Sequence, residues 1–237
     1  MFQFKKFTIQ QERSAMKVGT DGVLLGAWTP IFHQPFNILD IGAGTGLIAL
    51  MLAQRSDATQ IDAVEIDEDA YEECVYNFER SPWNDRLFCY HASIDEFTEE
   101  FFEDEEEYDL IVSNPPFYSE NYSSGYEKRD QARFQEALPF DELIECAQAL
   151  LSEKGIFAVI IPYKEEKNFI DLAESVGLFP LKITRVKGNT VSEIKRSLIA
   201  FSRFKQESII DELTIETTRH NYTEAYINLT KDFYLKM

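Results

Sequence analysis

Apolar runs of strand length alternate with amphipathic segments of helix length from residue 36 onward. The run FNILDIG at 36–42 is typical of a buried strand, and GLIALMLAQRS at 46–56 carries its apolar residues at helical spacing. This alternation predicts a mostly parallel sheet with helices on both faces. The predicted strands occupy 36–42, 60–67, 86–92, 108–113 and 156–162. The predicted helices occupy 46–56, 68–81, 138–155 and 165–177.

The C-terminal part of the chain departs from the alternation. The segments FPLKITRV at 179–186 and KRSLIAFSRF at 195–204 predict an antiparallel pair of strands. Gly155 and Gly177 are expected to end the two helices before them, because glycine is favoured just past a helix C-terminus. The expected fold is therefore α/β, with a seven-stranded, mostly parallel sheet, helices on both faces and a C-terminal antiparallel hairpin.

The composition is that of a single globular domain. The chain has 237 residues, 44% of them apolar, and no apolar run approaches the ~20 residues that a membrane-spanning helix needs. The N-terminus lacks the apolar stretch of a signal peptide. The three cysteines, Cys74, Cys89 and Cys146, form no Cys-x-x-Cys motif. We therefore expect reduced thiols in a cytoplasmic protein, with neither a disulfide framework nor a metal site.

The acidic charge is unevenly distributed. The formal net charge is −19, which by itself argues against a nucleic-acid partner. Residues 1–120 carry 24 acidic and 7 basic residues, whereas 121–237 carry 18 and 16. Within 182–205 there are seven basic residues and one acid, Glu193. The charge pattern therefore leaves a nucleic-acid partner open.

A glycine motif follows the first predicted strand. The sequence DIGAGTG places Asp40, Gly42, Gly44 and Gly46 in front of a helix. Glycine permits a tight turn and close approach of a ligand, and a helix N-terminus favours an anionic or carboxylate-bearing group. Nineteen residues past Gly46, the second strand ends at Glu65, which can accept hydrogen bonds from ribose hydroxyls. The pattern indicates a nucleoside-type cofactor; the alternative is a glycine turn that only lets a helix pack close to the sheet.

The spacing Gly-x-Gly-x-Gly, with an acid before it, resembles S-adenosylmethionine-dependent methyltransferases more than dinucleotide enzymes, which use Gly-x-Gly-x-x-Gly. In many such methyltransferases an Asp after the third strand bonds the adenine of the cofactor. Here Ser93 stands at that position, and Ile94 would pack on the adenine face. Ile66, directly after Glu65, is assigned to the same pocket. The alternative role for Ser93 is to cap the next helix.

The fourth strand ends in an unusual corner, Asn114-Pro115-Pro116-Phe117. An exocyclic amino group or an amide nitrogen is a poor nucleophile because its lone pair is delocalised. The side-chain oxygen of Asn114 and the backbone carbonyl of Pro115 can each accept a hydrogen bond from one N–H group of that nitrogen. These two hydrogen bonds direct its lone pair at a methyl donor. The prolines hold this carbonyl in an extended conformation, and Phe117 can stack on a flat target. The alternative is a rigid loop without catalytic function.

With both motifs in place, the chain resembles class I, Rossmann-like methyltransferases that methylate amino groups. It is most similar to one branch, the bacterial tRNA(Val) adenine-37 methyltransferases, and the resemblance covers nearly the whole chain. The cue that narrows the branch is MKVGTDGVLLGAW at 16–28. Supporting cues are NPPFY at 114–118, RDQARFQEALPFDEL at 129–143 and KRSLIAF at 195–201.

The resemblance implies S-adenosylmethionine as cofactor, tRNA as substrate and no obligate protein partner. It also implies that Lys17, Thr20 and Asp21 line the methyl-donor pocket, the alternative being that Thr20 or Asp21 caps a short helix. Residues 1–35 would extend over the cofactor pocket, 36–205 would form the core, and 206–237 would be a tail packed on it. Basic residues around the pocket would contact RNA phosphates, the alternative being ordinary surface charges. These residues are Lys128, Arg129, Arg133, Arg185, Lys187, Lys195 and Arg196.

Other functions remain open at this level. A protein glutamine amide methyltransferase could use the same Asn-Pro-Pro chemistry, although that family usually has Tyr in place of Phe117 and a separate N-terminal helical domain. Ribosomal RNA guanine amino methylation is a second alternative. A nicotinamide-dependent dehydrogenase is disfavoured by the glycine spacing. A non-catalytic RNA-binding module would need no cofactor pocket.

Overall fold

The fold is known from a computed structural model, which describes residues 1–103, 107–116 and 138–236. Within these ranges each of the four predicted helices is present, but each is shorter than the predicted segment. A short 3₁₀ turn, Tyr163–Glu165, follows the strand that ends at Pro162. The α-helices are α1 Thr20–Trp28, α2 Leu47–Arg55, α3 Glu68–Glu79, α4 Ile94–Glu103, α5 Phe140–Leu150, α6 Glu166–Ser175 and α7 Glu224–Thr230.

The strands form a small hairpin and one large sheet within the described ranges. The hairpin pairs β1 Phe2–Gln3 with β2 Thr8–Ile9. The large sheet has the order β11-β10-β8-β9-β7-β6-β3-β4-β5. Its strands are β3 Asn37–Ile41, β4 Gln60–Glu65, β5 Leu87–His91, β6 Tyr108–Ser113, β7 Leu151–Pro162, β8 Phe179–Asn189, β9 Ile194–Ser202, β10 Ile209–Thr218 and β11 Asn221–Tyr222.

The predicted α/β fold with a C-terminal antiparallel pair is confirmed. Strands β3 to β7 are mutually parallel, and β9 runs antiparallel to both β7 and β8. The predicted count of seven strands is too low, because β10 adds to β8 in parallel and β11 folds back on β10. The overlooked strand signal is the enrichment of 209–218 in the β-branched residues isoleucine and threonine.

Helices cover both faces of the sheet. Helices α1, α2 and α3 lie in one apolar cluster with the N-terminal Phe4 and the C-terminal Phe233. Helices α4, α5 and α6 lie in the other, around Phe157, Phe169 and Phe201. Strands buried on both faces explain the continuous apolar runs in the sequence.

The two predicted helix ends have different outcomes. Gly177 has φ +84°, and Leu178 N–H donates to the Ala173 carbonyl at 2.9 Å, so a left-handed glycine ends α6 as expected. The prediction for Gly155 is wrong: α5 ends at Leu150, and Gly155 lies inside β7. A Cβ at Gly155 would lie 2.7 Å from Leu151 Cδ1, so this glycine permits close packing instead of a helix end.

The two chain ends meet on the α1 face of the sheet. Lys5 N–H donates to the Phe233 carbonyl at 2.8 Å, and α7 packs near α1. In the described part of the chain, no helix has the length and apolar character needed to cross a membrane. The division into an extension at 1–35, a core at 36–205 and a tail at 206–237 stays a prediction.

Candidate functional site

The glycine loop between β3 and α2 combines two roles. Gly42, Gly44 and Gly46 have φ values of +68°, +57° and +77°, the left-handed region that glycine enters without steric cost. A Cβ at Gly42 or Gly44 would meet nothing within 4 Å, so both positions face open space. A Cβ at Gly46 would lie 2.5 Å from Phe78 Cε1. The first two glycines therefore leave room for a ligand, whereas the third lets α2 pack against α3.

Glu65 fixes the shape of this loop. Its Oε2 accepts the backbone N–H of Gly44 at 2.7 Å, and its Oε1 accepts that of Asp67 at 2.9 Å. The residue is 8% exposed, and burial raises the pKa of the carboxyl although these two hydrogen bonds oppose the shift. Each carboxylate oxygen can accept a second hydrogen bond, so Glu65 can still hold ribose hydroxyls at the rim of the loop.

Asp40 lies beneath the loop and is fully buried. Its Oδ2 accepts the backbone N–H of Ala49 at 3.0 Å, while its Oδ1 has no hydrogen-bond partner among the described residues. Burial raises the pKa of Asp40 to about 7, the Ala49 N–H lowers it and the nearby charge of Glu65 raises it further. An unpaired buried acceptor is costly, so Asp40 is suited to receive a donor that a ligand or an ordered water brings.

The carboxyl ends of three neighbouring strands, β6, β3 and β4, bring the main predicted residues into one row. Ile41 pairs with Ser113 on one side and with Val64 on the other. Gly42 therefore lies level with Asn114 and with Glu65, with neighbouring strands about 4.8 Å apart. This row is the central geometric result, because it places the Asn-Pro-Pro corner beside the glycine loop.

The Asn-Pro-Pro corner is itself partly enclosed. Asn114 is half-buried and Pro115 is buried. Just before them, the hydroxyl of Ser113 donates to the Ile41 carbonyl at 2.9 Å, which ties the end of β6 to the end of β3. Phe117, the predicted stacking residue, lies outside the described residues.

Ser93 is the N-cap of α4. Its Oγ accepts the Glu96 N–H at 3.2 Å, and Glu96 Oε2 receives the Ser93 N–H at 3.1 Å, a reciprocal capping box. Ile94 is 5% exposed and packs in the core, whereas Ile66 is 52% exposed at the rim. A contact of Ser93 or Ile94 with adenine stays a prediction, and Ile66 offers the larger open apolar surface.

Sequence reasoning missed His91 at this rim. His91 pairs with Glu65 across β5 and β4, and its Nε2 lies 3.0 Å from the Ile66 carbonyl oxygen. Its ring stacks on Tyr71 with the centroids 5.1 Å apart. The usable signal was its position at the end of the strand next to Glu65.

The segment KVGTD reaches the glycine loop through α1. A Cβ at Gly22 would lie 3.1 Å from Leu47, the first residue of α2. Lys17 and Thr20 are exposed and Asp21 is half-buried. The alternative prediction that Thr20 or Asp21 caps α1 is wrong, because the extended Gly19 is the N-cap and no side chain caps this helix.

Two side chains of α3, also missed from the sequence, hold the N-terminal segment beside this site. Asn77 accepts the Gln10 N–H at 2.8 Å and donates to the Thr45 carbonyl at 2.9 Å, so it joins the segment to the glycine loop. Glu73 accepts the backbone N–H groups of Glu12, Arg13 and Ser14 and the Ser14 hydroxyl. Burial alone would raise the pKa of Glu73, but these hydrogen bonds outweigh it and lower the pKa. No sequence motif marks either residue.

Most of the described basic residues predicted to contact RNA are paired with acids. Arg185 forms a bidentate contact with Glu166, Lys187 pairs with Glu212 at 2.6 Å, and Arg196 pairs with Asp21 at 2.7 Å. Lys195 is exposed. The other predicted contacts, Lys128, Arg129 and Arg133, lie outside the described residues.

Known proteins resemble the chain in sequence and in fold. The family model for the methyltransferase small domain matches residues 23–193. A protein of Flavobacterium johnsoniae named tRNA1(Val) (adenine(37)-N6)-methyltransferase is 67% identical over 238 residues, covering 100% of both chains. A protein of the same name from Pectobacterium carotovorum subsp. carotovorum is 43% identical and covers 100% of this chain and 94% of its own length.

Solved structures support the fold. A crystal structure described as a predicted O-methyltransferase from Agrobacterium tumefaciens matches with a TM-score of 0.68 at 17% identity, covering 90% of this chain and 96% of that one. A methyltransferase from Pyrococcus furiosus matches with a TM-score of 0.57 at 22% identity, covering 82% and 88%. The fold is that of the class I methyltransferases, and the sequence relatives are much closer than these structures. The chain therefore belongs to the methyltransferase small domain family and, within it, to the tRNA1(Val) (adenine(37)-N6)-methyltransferases.

Proposed function

We propose that this protein transfers a methyl group from S-adenosylmethionine to the exocyclic N6 amino group of adenine 37 in tRNA1(Val). The observation that carries the proposal is the level position of Asn114 and Gly42 at neighbouring strand ends, inferred from the pairing of Ser113 with Ile41. The names of the close relatives supply the substrate. In this proposal the reaction takes place in the cytoplasm, where tRNA is modified.

The residues around the glycine loop are suited to S-adenosylmethionine. Gly42 and Gly44 face open space and carry no side chain, which gives the cofactor room to approach the backbone. Glu65 would hold the ribose hydroxyls, and the exposed side chain of Ile66 would cover the adenine. The Oδ1 of Asp40, which has no hydrogen-bond partner among the described residues, is available beneath the loop to accept a further hydrogen bond. When bound, the cofactor supplies a methyl group on a positively charged sulfur.

Asn114 and Pro115 would prepare the adenine amino group for this methyl. The amide oxygen of Asn114 and the carbonyl of Pro115 would each accept a hydrogen bond from one N–H of the amino group, which turns the nitrogen lone pair toward the glycine loop. On methyl transfer the sulfur of the cofactor would keep the electron pair of the broken C–S bond, and the surplus proton of the amino group would leave to solvent. Asn114 is not a base, so the gain comes from alignment and electrostatics. In this proposal Phe117 stacks on the base.

The RNA would have to present an unstacked adenine. Half of the corner is enclosed, since Pro115 is buried, so a base inside a duplex cannot reach Asn114 without leaving its stack. Arg185 and Lys187 are expected to bind phosphates more weakly than an unpaired cation does, because their ion pairs with carboxylates must first open. Exposed Lys195 has no such cost and is the better candidate.

Two RNA transcripts test this function. Purified enzyme with labelled S-adenosylmethionine should methylate unmodified tRNA1(Val) and should not methylate the same tRNA with guanine at position 37. Asn114→Ala should lower turnover by roughly 100-fold or more, as removal of one transition-state hydrogen bond does, while cofactor affinity stays within about threefold. Asn114→Asp keeps a side-chain acceptor oxygen beside the backbone carbonyl of Pro115 and should retain more turnover than Asn114→Ala. Label that enters both transcripts equally, or only protein, contradicts the proposal.

A further inference from the structure

The ion pair between Asp21 and Arg196 joins two parts of the molecule that are far apart in sequence. Arg196 Nε donates to Asp21 Oδ2 at 2.7 Å, and the two side chains are 28% and 35% exposed, Asp21 being the less exposed. Arg196 lies on β9, opposite Pro162 at the carboxyl end of β7. Asp21 lies in the first turn of α1. The pair therefore fastens the start of α1 to the sheet edge where the strands of the site end.

Asp21 lies close to the glycine loop. Its neighbour Gly22 approaches Leu47, which directly follows Gly46, and a Cβ on Gly22 would come within 3.1 Å of that side chain. Tight packing of α1 on α2 continues at Gly26, where a Cβ would lie 2.7 Å from the sulfur of Met51. The two glycines thus let the backbone of α1 pack directly on side chains of α2, and this close packing holds the start of α1, with Asp21, next to α2.

The hydrogen bond from Arg196 restricts the side-chain rotation of Asp21. Gly19 caps α1 with backbone only, so no capping side chain helps to order this helix start. A half-buried arginine–carboxylate contact is directional and stronger than a fully exposed pair. If Arg196 instead turned to an RNA phosphate, the Asp21 carboxylate would lose its cationic partner while remaining only 28% exposed.

We propose that Arg196 is a positioning residue that holds the Asp21 carboxylate at the rim of the methyl-donor pocket, and that it is not a phosphate contact. The inference rests on the proposed function, since it assumes that the glycine loop binds S-adenosylmethionine. A carboxylate held at this rim is suited to the positively charged ammonium group at the methionine end of that cofactor. The pair thus links donor binding to the end of β9.

Cofactor binding in the absence of RNA tests the positioning role directly. Calorimetric titration with S-adenosylmethionine should give a dissociation constant about tenfold higher for Arg196→Gln and for Asp21→Asn than for the wild type. The double variant should be no weaker than the weaker single variant, because both remove the same contact. Arg196→Lys should recover part of the affinity. Lys154→Gln removes an exposed positive charge near the start of β7, far from this pair, and should leave the affinity unchanged; an equal loss in Lys154→Gln contradicts the proposal.

A reversed ion pair separates positioning from simple structural support. The double variant Asp21→Arg/Arg196→Asp can restore the melting temperature, but it places no carboxylate on α1, so cofactor affinity should stay low. Recovery of affinity together with stability overturns the proposal.

The salt dependence of tRNA binding separates positioning from phosphate contact. Arg196→Gln should leave its logarithmic slope unchanged, whereas loss of one phosphate contact would reduce the slope by about one. Unchanged cofactor affinity with a reduced salt slope makes Arg196 a phosphate contact and also overturns the proposal. If the wild type itself does not bind S-adenosylmethionine, the proposed function fails, and the outcome is distinct from those above.

Discussion

Asp40→Asn tests whether the buried carboxyl beneath the glycine loop carries an elevated pKa. Asp40 is fully buried with a single hydrogen bond, from Ala49, so its charged form is poorly stabilised in the folded protein. Burial raises its pKa from an ordinary value of 3.8 to about 7. A carboxyl whose pKa rises on folding favours the folded state at low pH. That contribution is lost as the pH rises from 3.8 toward 7, and it stays lost above this window.

The size of the effect follows from the shift. The full rise of the Asp40 pKa corresponds to about 4 kcal/mol of unfolding free energy, at about 1.4 kcal/mol for each tenfold change in proton affinity. Between about pH 5 and pH 8 the protein should lose about 3 kcal/mol of this contribution. The asparagine side chain of the variant cannot ionise, so the Asp40→Asn protein loses none of it. The stability of the variant relative to the wild type should therefore rise by about 3 kcal/mol across that interval.

Urea denaturation of both cofactor-free proteins at the two pH values measures this difference. The comparison cancels any constant cost of an unsatisfied buried amide, because that cost is present at both pH values. Asp57→Asn, which removes an exposed carboxylate, controls for the loss of one negative charge. A free-energy difference between Asp40→Asn and the wild type that is the same at both pH values would refute the argument that Asp40 is buried without a compensating partner.

Three further predictions concern residues that support the site. Glu73→Gln should lower the unfolding free energy by about 2 kcal/mol in urea titrations, because four hydrogen bonds lose their charged acceptor. Because the pKa of Glu73 is lowered on folding, its contribution is present above the ordinary value of 4.5, and the deficit should shrink as the pH falls below it. Asn77→Ala should weaken calorimetric S-adenosylmethionine binding more than it lowers the melting temperature, since Asn77 joins Gln10 to the glycine loop; the reverse order contradicts this role. Gly46→Ala should lower the melting temperature more than Gly44→Ala, because only the first adds a clash with a core side chain.

The sequence was sufficient to predict the features that local chemistry determines. Alternating apolar runs predicted the five parallel strands and the antiparallel pair, because a strand buried on both faces must be apolar throughout. The order of Asp40, Gly42 and Glu65 along the chain predicted a nucleoside site in which Glu65 holds ribose hydroxyls. In the structure Glu65 accepts a hydrogen bond from Gly44 of the glycine loop, and its contact with a ribose stays a prediction. The adjacency of Asn114 and the glycine loop followed from the rule that ligands bind at the carboxyl ends of parallel strands.

Features that depend on distant partners could not be predicted. Arg185 and Arg196 carry the positive charge expected of a phosphate contact, yet each forms an ion pair with a carboxylate of another element. The spacing of residues in the sequence carries no information about such pairs. Gly155 has the position of a helix end, but the chain turns directly into β7 four residues earlier. Asn77 acts through backbone groups of Gln10 and Thr45, which any residue type could supply.

Mass analysis of the nucleosides in tRNA1(Val) tests the central claim most directly. After incubation of unmodified tRNA with enzyme and S-adenosylmethionine, a nuclease fragment that contains position 37 should gain one methyl group, recovered as N6-methyladenosine. The Asn114→Ala enzyme should yield almost none. A methyl group on a guanine, on a ring nitrogen of adenine, or at another position would contradict the claim that the Asn-Pro-Pro corner presents this amino group to the glycine loop.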